Sequence, residues 1–299
     1  MLRTRLISAA VLAPLVLAIV FLGEPWLSAL VGLIAFLALV ETVSLLDAAG
    51  FEPPQVLTLG LGVVVAASVL VAANQALVGG LLAEVLRATT VPGLPVVTYA
   101  GSVLLLAVAS FIRAEPRAGF LTWATSSFGV AYAAMLVPFI VLVAHLHPAG
   151  GTPDTEVGGL GLQAGSAWAL LLIVTVWGYD TGAYLVGRAI GRHRLIDHIS
   201  PGKTIEGLAG GLVVATLGAG LGVWLVGLPA WQALVLGPLL GLAAQSGDLA
   251  ESLLKRAAGR KESGFLIPGH GGMLDRIDSF LFAAPTLAGF ALLVGGASL

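Results

Sequence analysis

No cysteine occurs among the 299 residues, and charged side chains make up only 10% of them. The first absence excludes disulfides, thiolate metal sites and cysteine nucleophiles. The second excludes an ordinary water-soluble globule, which carries roughly 25% charged residues; there is too little charge here to cover so large a surface. The chain is 58% hydrophobic, so most of its surface must meet lipid. A net charge of −2 says little. Where the charges lie says more.

A helix needs about 20 apolar residues to cross roughly 30 Å of hydrocarbon. Nine segments qualify: 6–23, 26–46, 56–76, 94–112, 121–145, 167–187, 207–227, 230–250 and 277–296. They predict an all-α integral membrane protein, a polytopic bundle of about nine transmembrane helices. Arg3 and Arg5 flank the first segment as they would a signal peptide. No Ala-x-Ala-like cleavage site follows and further spans do, so it reads as a retained span. With an odd number of spans and a cytoplasmic N-terminus, 13 of the 14 Lys and Arg fall inside, leaving Arg87 outside. The positive-inside rule expects such a bias.

Neither an internal repeat nor a soluble domain is visible. Residues 1–165 read as an N-terminal transmembrane scaffold of about five helices. Residues 166–299 read as a C-terminal catalytic region of about four helices, interrupted by two cytoplasmic polar segments, 188–206 and 251–276. The external segment 148–166, with Asp154 and Glu156, reads as a solvated loop, and His145 and His147 as interfacial residues.

Three constellations in the second half carry chemistry. In "AAQSGDLAESLLKR", Gln245, Asp248, Ser252 and Lys255 follow spacings of 3, 4 and 3 and share one helical face. A carboxylate within a span costs roughly 2.5–3.5 kcal/mol on insertion scales, so Asp248 needs a partner: Lys255 or Arg256, or a metal. In "IPGHGGMLDRIDS", Asp275 and Asp278 stand i, i+3 in the first turn of the last span. Two acids there can complement the helix dipole for about 0.3–1 kcal/mol each. That leaves His270, Gly271 and Gly272 unexplained; paired glycines permit close approach to a ligand. Three carboxylates without thiolate or paired histidines favour a hard cation, Mg²⁺ rather than Zn²⁺. His270 fits a hydrogen-bonding role as well as a ligand's. Beside them lie Lys255, Arg256, Arg260 and Lys261; carboxylates, a divalent ion and cations together suit phosphate transfer.

The third constellation is "WGYDTGAYLVGRAIGRHRLIDHISPGKTIEG", where Asp180, Tyr184 and Arg188 recur at steps of four. Its "ISPGKT" is not a P-loop, because Asp197 stands where that motif needs glycine. Ser200, Lys203 and Thr204 still offer two hydroxyls and a cation to a polyphosphate or lipid phosphate.

"SLLKRAAGRKESGFLIPGHGGMLDRIDS" closely resembles the signature of phosphatidate cytidylyltransferases, the CDP-diacylglycerol synthases. The chain supplies Ser252, Lys255, Arg256, Lys261, Gly264, Ile267, Pro268, His270, Gly271, Gly272, Met273, Asp275, Arg276 and Asp278. It departs at Glu262, where the signature has Asp. "D-x-x-A-Y-x-x-G-R" and "S-P-x-K-T-x-E-G" are similar to the same family, so the resemblance covers about residues 177–279. It implies a nine-helix membrane enzyme, a homodimer in the cell membrane with its active site on the cytoplasmic side. Such an enzyme joins CTP to phosphatidic acid, giving CDP-diacylglycerol and pyrophosphate for phospholipid synthesis. Mg²⁺ would be held by Asp248, Asp275 and Asp278, with Lys255, Arg256 and His270 completing the catalytic group. Ser200, Lys203, Thr204, Ser252, Lys261, Gly271, Gly272, Arg276, Asp180, Tyr184 and Arg188 would bind substrate. The resemblance leaves room for a monovalent cation such as K⁺, and it implies membrane lipids but no nucleic acid as partners. Two other readings compete: another Mg²⁺-dependent lipid-phosphate transferase, and a secondary transporter with Asp180 and Asp248 as coupling-ion ligands.

Overall fold

The computed structural model describes residues 2–74, 93–266 and 271–299, with side chains described from residue 10 onward. Arg87, His270 and residues 79–92 lie outside the described residues. A helix occupies each of the nine apolar segments: α1 (Leu2–Leu22), α2 (Trp26–Ala48), α3 (Gln55–Ala73), α4 (Leu94–Ser110), α5 (Pro116–Ala144), α6 (Ala164–Ile190), α7 (Ile205–Val226), α8 (Ala233–Ala257) and α9 (Leu274–Leu293). Seven are long and apolar enough to cross a membrane; α4 and the apolar part of α1, Ala10–Leu22, are shorter. The chain is thus a mostly helical, multi-pass membrane protein. Among the described residues, strands form three two-stranded antiparallel ladders: β1 (His147–Pro148) with β6 (Ala297–Ser298), β2 (Glu156–Val157) with β3 (Leu162–Gln163), and β4 (Arg194–Ile196) with β5 (Ser200–Thr204).

The chain forms two compact units that interleave along the sequence. The first comprises Met1–Leu15, Glu24–Val141 and Leu254–Ile277; the second comprises Val16–Gly23, Leu142–Leu253 and Asp278–Leu299. Helices α8 and α9 therefore each contribute residues to both units.

In the first unit, Leu39, Val43, Leu46, Val65 and Leu106 are buried among α2, α3, α4 and α5. Gly62 lets α3 close on α2: a Cβ there would lie 2.3 Å from a methyl of Leu39. Several polar groups find partners within the unit, as a lipid environment favours. Ser68 Oγ lies 2.8 Å from Thr98 Oγ1, and Trp123 Nε1 donates to the Val103 carbonyl at 2.9 Å. Pro138 cannot donate to the helical ladder of α5. A π-turn over Val130–Met135 precedes it, and Leu136 N donates five residues back to the Ala131 carbonyl at 3.2 Å.

The second unit is built on the α6–α7 pair. Apolar side chains gain nothing by leaving lipid for one another, so helices in a membrane associate through close van der Waals contact at small residues. Cβ atoms at Gly182, Gly211 and Gly222 would fall 2.6 Å from Val214, 2.7 Å from Tyr179 and 2.4 Å from Leu171. Helix α8 joins through Gly237, whose Cβ would lie 2.3 Å from Thr216 Cα. Thr204 caps α7, its hydroxyl accepting from Gly207 N at 3.1 Å, and Gly227, at φ 84°, ends it. At that C-terminal end Gly158 packs against the Leu225 carbonyl. The β4–β5 hairpin precedes α7 at its opposite, N-terminal end, and the charged residues gather there.

This packing yields a paired expectation on one helix. Gly222→Leu drives a side chain into Leu171, whereas a Cβ at Gly220 meets nothing within 4 Å. Thermal unfolding in detergent should show Gly222→Leu destabilised by about 1–3 kcal/mol, the range for overpacking, and Gly220→Leu close to wild type.

Candidate active site

The polar residues fall into two clusters, one in each unit. In the second unit, Lys203 of β5 reaches α8 and pairs its ammonium with Asp248 Oδ2, the two side chains being 23% and 27% exposed. Ser252, one turn further along α8, donates to Asp248 Oδ1 at 3.4 Å. Asp180 of α6 has Asp248, Lys203 and Ser279 of α9 as electrostatic neighbours. Asp278 belongs to the same unit, and its Oδ1 accepts from Ser279 N at 2.7 Å. Gly247 brings α8 and α9 together there, since a Cβ on it would lie 2.3 Å from the Asp278 carbonyl. Below the acids, Tyr179 donates to Gln245 Oε1 at 2.6 Å, both side chains buried.

The β4–β5 hairpin holds Lys203 in place. Glu206, in the first turn of α7, accepts from Arg192 N at 3.1 Å, His193 N at 3.2 Å and His193 Nδ1 at 2.6 Å. Arg194 donates to the Pro201 carbonyl, closing the hairpin. A rigid turn thus sets down an otherwise flexible lysine beside two carboxylates. Thr204, expected to face substrate, is a buried helix cap. Ser200 sits opposite Ile196 in the ladder. Arg188 and Tyr184 pair with each other, Nη1 to the phenolic oxygen at 2.8 Å, on the exposed side of α6.

In the first unit, the centre is Asp275 at the start of α9. Lys255 Nζ donates to its Oδ1 at 2.6 Å, with side chains only 12% and 9% exposed. Its Oδ2 accepts from Ser263 N at 2.9 Å, and from Ser263 Oγ and Gly272 N at 2.8 Å each. Both oxygens of Asp275 are thus engaged, and Lys255 is held as a nearly buried cation. Glu41 of α2 enters the same cluster, accepting from Ser263 Oγ and Leu274 N at 2.8 Å and from Met273 N at 2.9 Å. Arg256 donates to the Arg260 carbonyl at 3.3 Å, while Lys261 and Arg276 are exposed. Gly271, at φ 78°, makes the turn into α9.

Glu41 and Ser263 were not legible as site residues. Glu41 lies in an otherwise apolar helix with no motif around it; a lone acid in a span is the signal that could have drawn attention to it. Among the described residues no three Asp, Glu or His side chains form a ready-made metal group. The second unit nevertheless offers hard-oxygen donors in Asp248, Asp278 and Asp180, with a cation, Lys203, already seated on Asp248. Carboxylate oxygens suit Mg²⁺ better than a thiophilic metal, although these three do not form one ready-made group. Chemically, the clusters offer carboxylate oxygens for a hard cation and two held lysines for phosphate oxygens.

The chain matches the model of the Cytidylyltransferase family over residues 3–294. A phosphatidate cytidylyltransferase of Synechocystis sp. is 32% identical over 304 residues, covering 97% of this chain and 96% of that protein. One from Bacillus subtilis is 44% identical over 127 residues, 42% of this chain and 47% of the relative. One from Staphylococcus haemolyticus is 45% identical over 125 residues, 41% and 48% of the two chains.

The Lys203–Asp248 pair should show up in a double-mutant cycle. Lys203→Met is expected to lower stability more in the wild-type background than in Asp248→Asn. A coupling of about 1–3 kcal/mol, the scale of a charged hydrogen bond, should appear in detergent unfolding. Additive effects would mean that the pair contributes no coupling.

Proposed function

The chain belongs to the Cytidylyltransferase family, and on that premise we propose that it joins CTP to phosphatidic acid, giving CDP-diacylglycerol and pyrophosphate. The observation that carries this reading is the family likeness along nearly the whole chain, including the segment that holds Lys255 and Asp275. A phosphate oxygen of phosphatidic acid attacks the α-phosphorus of CTP. The bond from that phosphorus to the oxygen bridging to the β-phosphate breaks, and pyrophosphate leaves with the electron pair. Both reactants are anions, so the protein's work is to bring them together, orient them and offset their repulsion. No nucleophilic side chain is needed.

Lys203 and Lys255 suit the phosphates because each is already held by a carboxylate, Asp248 and Asp275, and loses little freedom on binding. Arg256, Lys261 and Arg276 supply exposed positive charge for the β- and γ-phosphates. His270 remains the proposed hydrogen-bonding partner from the signature. Asp248 and Asp278 would hold Mg²⁺, which when bound offsets negative charge on the nucleotide phosphates. Asp275 would keep Lys255 oriented, and K⁺ is proposed as an accessory ion.

The site is proposed to face the cytoplasm, with nine spans and the N-terminus inside, supported by the 13-to-1 division of Lys and Arg. Single cysteines introduced at Arg194 and Arg260 should then be protected from impermeant thiol reagents in intact cells, and labelling of either from outside would contradict the topology. A homodimer is proposed from the resemblance alone; the mass of the detergent-solubilised protein measures it.

The reaction is tested with purified protein in mixed micelles. Formation of CDP-diacylglycerol should require CTP, phosphatidic acid and Mg²⁺ together. Asp248→Asn and Asp278→Asn preserve shape and remove charge, so folded protein should persist while turnover falls by more than about tenfold, or 1.4 kcal/mol of barrier. Turnover near wild type in both would contradict their role as metal ligands.

A further inference from the structure

Nothing in the reaction above calls on the first half of the chain, yet Glu41 delivers a carboxylate from the middle of α2 into the Asp275 cluster. We infer that Glu41 is a positioning residue for cytidylyl transfer: its carboxylate fixes the first turn of α9 and, through Ser263, the orientation of the Asp275 carboxylate that holds Lys255. The inference rests on the proposed reaction, in which Lys255 meets nucleotide phosphate.

Three observations support it. First, helix N-termini leave backbone N–H groups without intrahelical acceptors. Here Met273 N and Leu274 N donate to Glu41 Oε1 at 2.9 Å and Oε2 at 2.8 Å. Gly272 N donates to Asp275 Oδ2 at 2.8 Å. A carboxylate from another helix does the work that a local capping side chain usually does. It also leaves Asp275 Oδ1 to Lys255, at 2.6 Å.

Second, Ser263 Oγ lies 2.8 Å from both Glu41 Oε2 and Asp275 Oδ2. A serine hydroxyl has one proton to donate, so the two carboxylates share it. Four backbone N–H groups and the Lys255 ammonium offset the repulsion between them. Displacing Glu41 therefore disturbs Asp275, and with it Lys255.

Third, two glycines of the signature make room for this carboxylate and the serine bonded to it. A Cβ on Gly272 would fall 2.2 Å from Ser263 Oγ and 2.4 Å from Glu41 Oε2, and one on Gly264 would fall 2.6 Å from Glu41 Oε1. The chain has folded closely around Glu41.

Glutamine is the decisive replacement. Both Glu41 oxygens accept from backbone N–H, so either orientation of a glutamine amide sets an NH₂ donor against an N–H donor. Glu41→Gln should therefore lose one of the two backbone bonds at almost unchanged size. In reconstituted enzyme we expect kcat to fall at least tenfold, with KM for CTP and for phosphatidic acid within about threefold of wild type. Glu41→Asp keeps two acceptors and should recover part of that loss. Hydrogen exchange supplies a readout independent of turnover: the amides of residues 272–276 should exchange at least tenfold faster in Glu41→Gln, with the other helices unchanged. Wild-type kcat per folded molecule in Glu41→Gln, or unchanged exchange over 272–276, would overturn the inference. Should Glu41→Gln not fold, Ser263→Ala decides: it removes only the shared hydroxyl, and a lower kcat at constant KM supports the link while wild-type kcat refutes it. Failure of the proposed reaction itself would look different, since wild-type protein would then make no CDP-diacylglycerol while the exchange result stood.

Discussion

A carboxylate survives in an apolar chain only where a cation or several N–H donors meet it. That constraint organises both polar clusters, each within its own unit. Asp248 is met by Lys203, Asp275 by Lys255, and Glu41 by two backbone amides and a serine. In each case the cation or turn that satisfies the acid is itself fixed by it. The same contacts that make the charges tolerable leave the two lysines oriented.

The helices around these charges pack closely at small residues. Small residues on α6 and α7 allow close approach along most of their length, giving a firm base for the β4–β5 hairpin that carries Lys203. Gly247 does the same where α8 meets α9 beside Asp278. At the α9 entry, Gly271 makes a left-handed turn and Gly272 makes room for the Glu41 carboxylate. Gly271 thus answers to backbone conformation and to clearance from Asp275, and Gly272 to clearance from Ser263 and Glu41.

Much of this was legible in the sequence, because hydropathy and helical spacing are local properties. The nine apolar segments each carry a helix, and the i, i+3 and i+4 spacings place Gln245, Asp248, Ser252 and Lys255 along α8 as expected. Lys255 was legible as one of two possible partners for Asp248, but it pairs with Asp275, while Lys203 takes Asp248 from 45 residues away. Such pairings depend on tertiary approach and leave no trace in spacing. Thr204 looked like a substrate hydroxyl and is a helix cap, a role available to any threonine before a helix. Glu41 was invisible for a similar reason: its partners, Ser263, Met273 and Leu274, lie more than 220 residues along the chain.

The most direct measurement follows the phosphorus atoms of CTP separately. Purified protein is given phosphatidic acid, Mg²⁺ and CTP labelled at either the α- or the γ-phosphate. Cytidylyl transfer predicts that the α-label enters lipid and the γ-label leaves as pyrophosphate. Transfer of the γ-label to lipid, or folded protein that moves neither label, would contradict it.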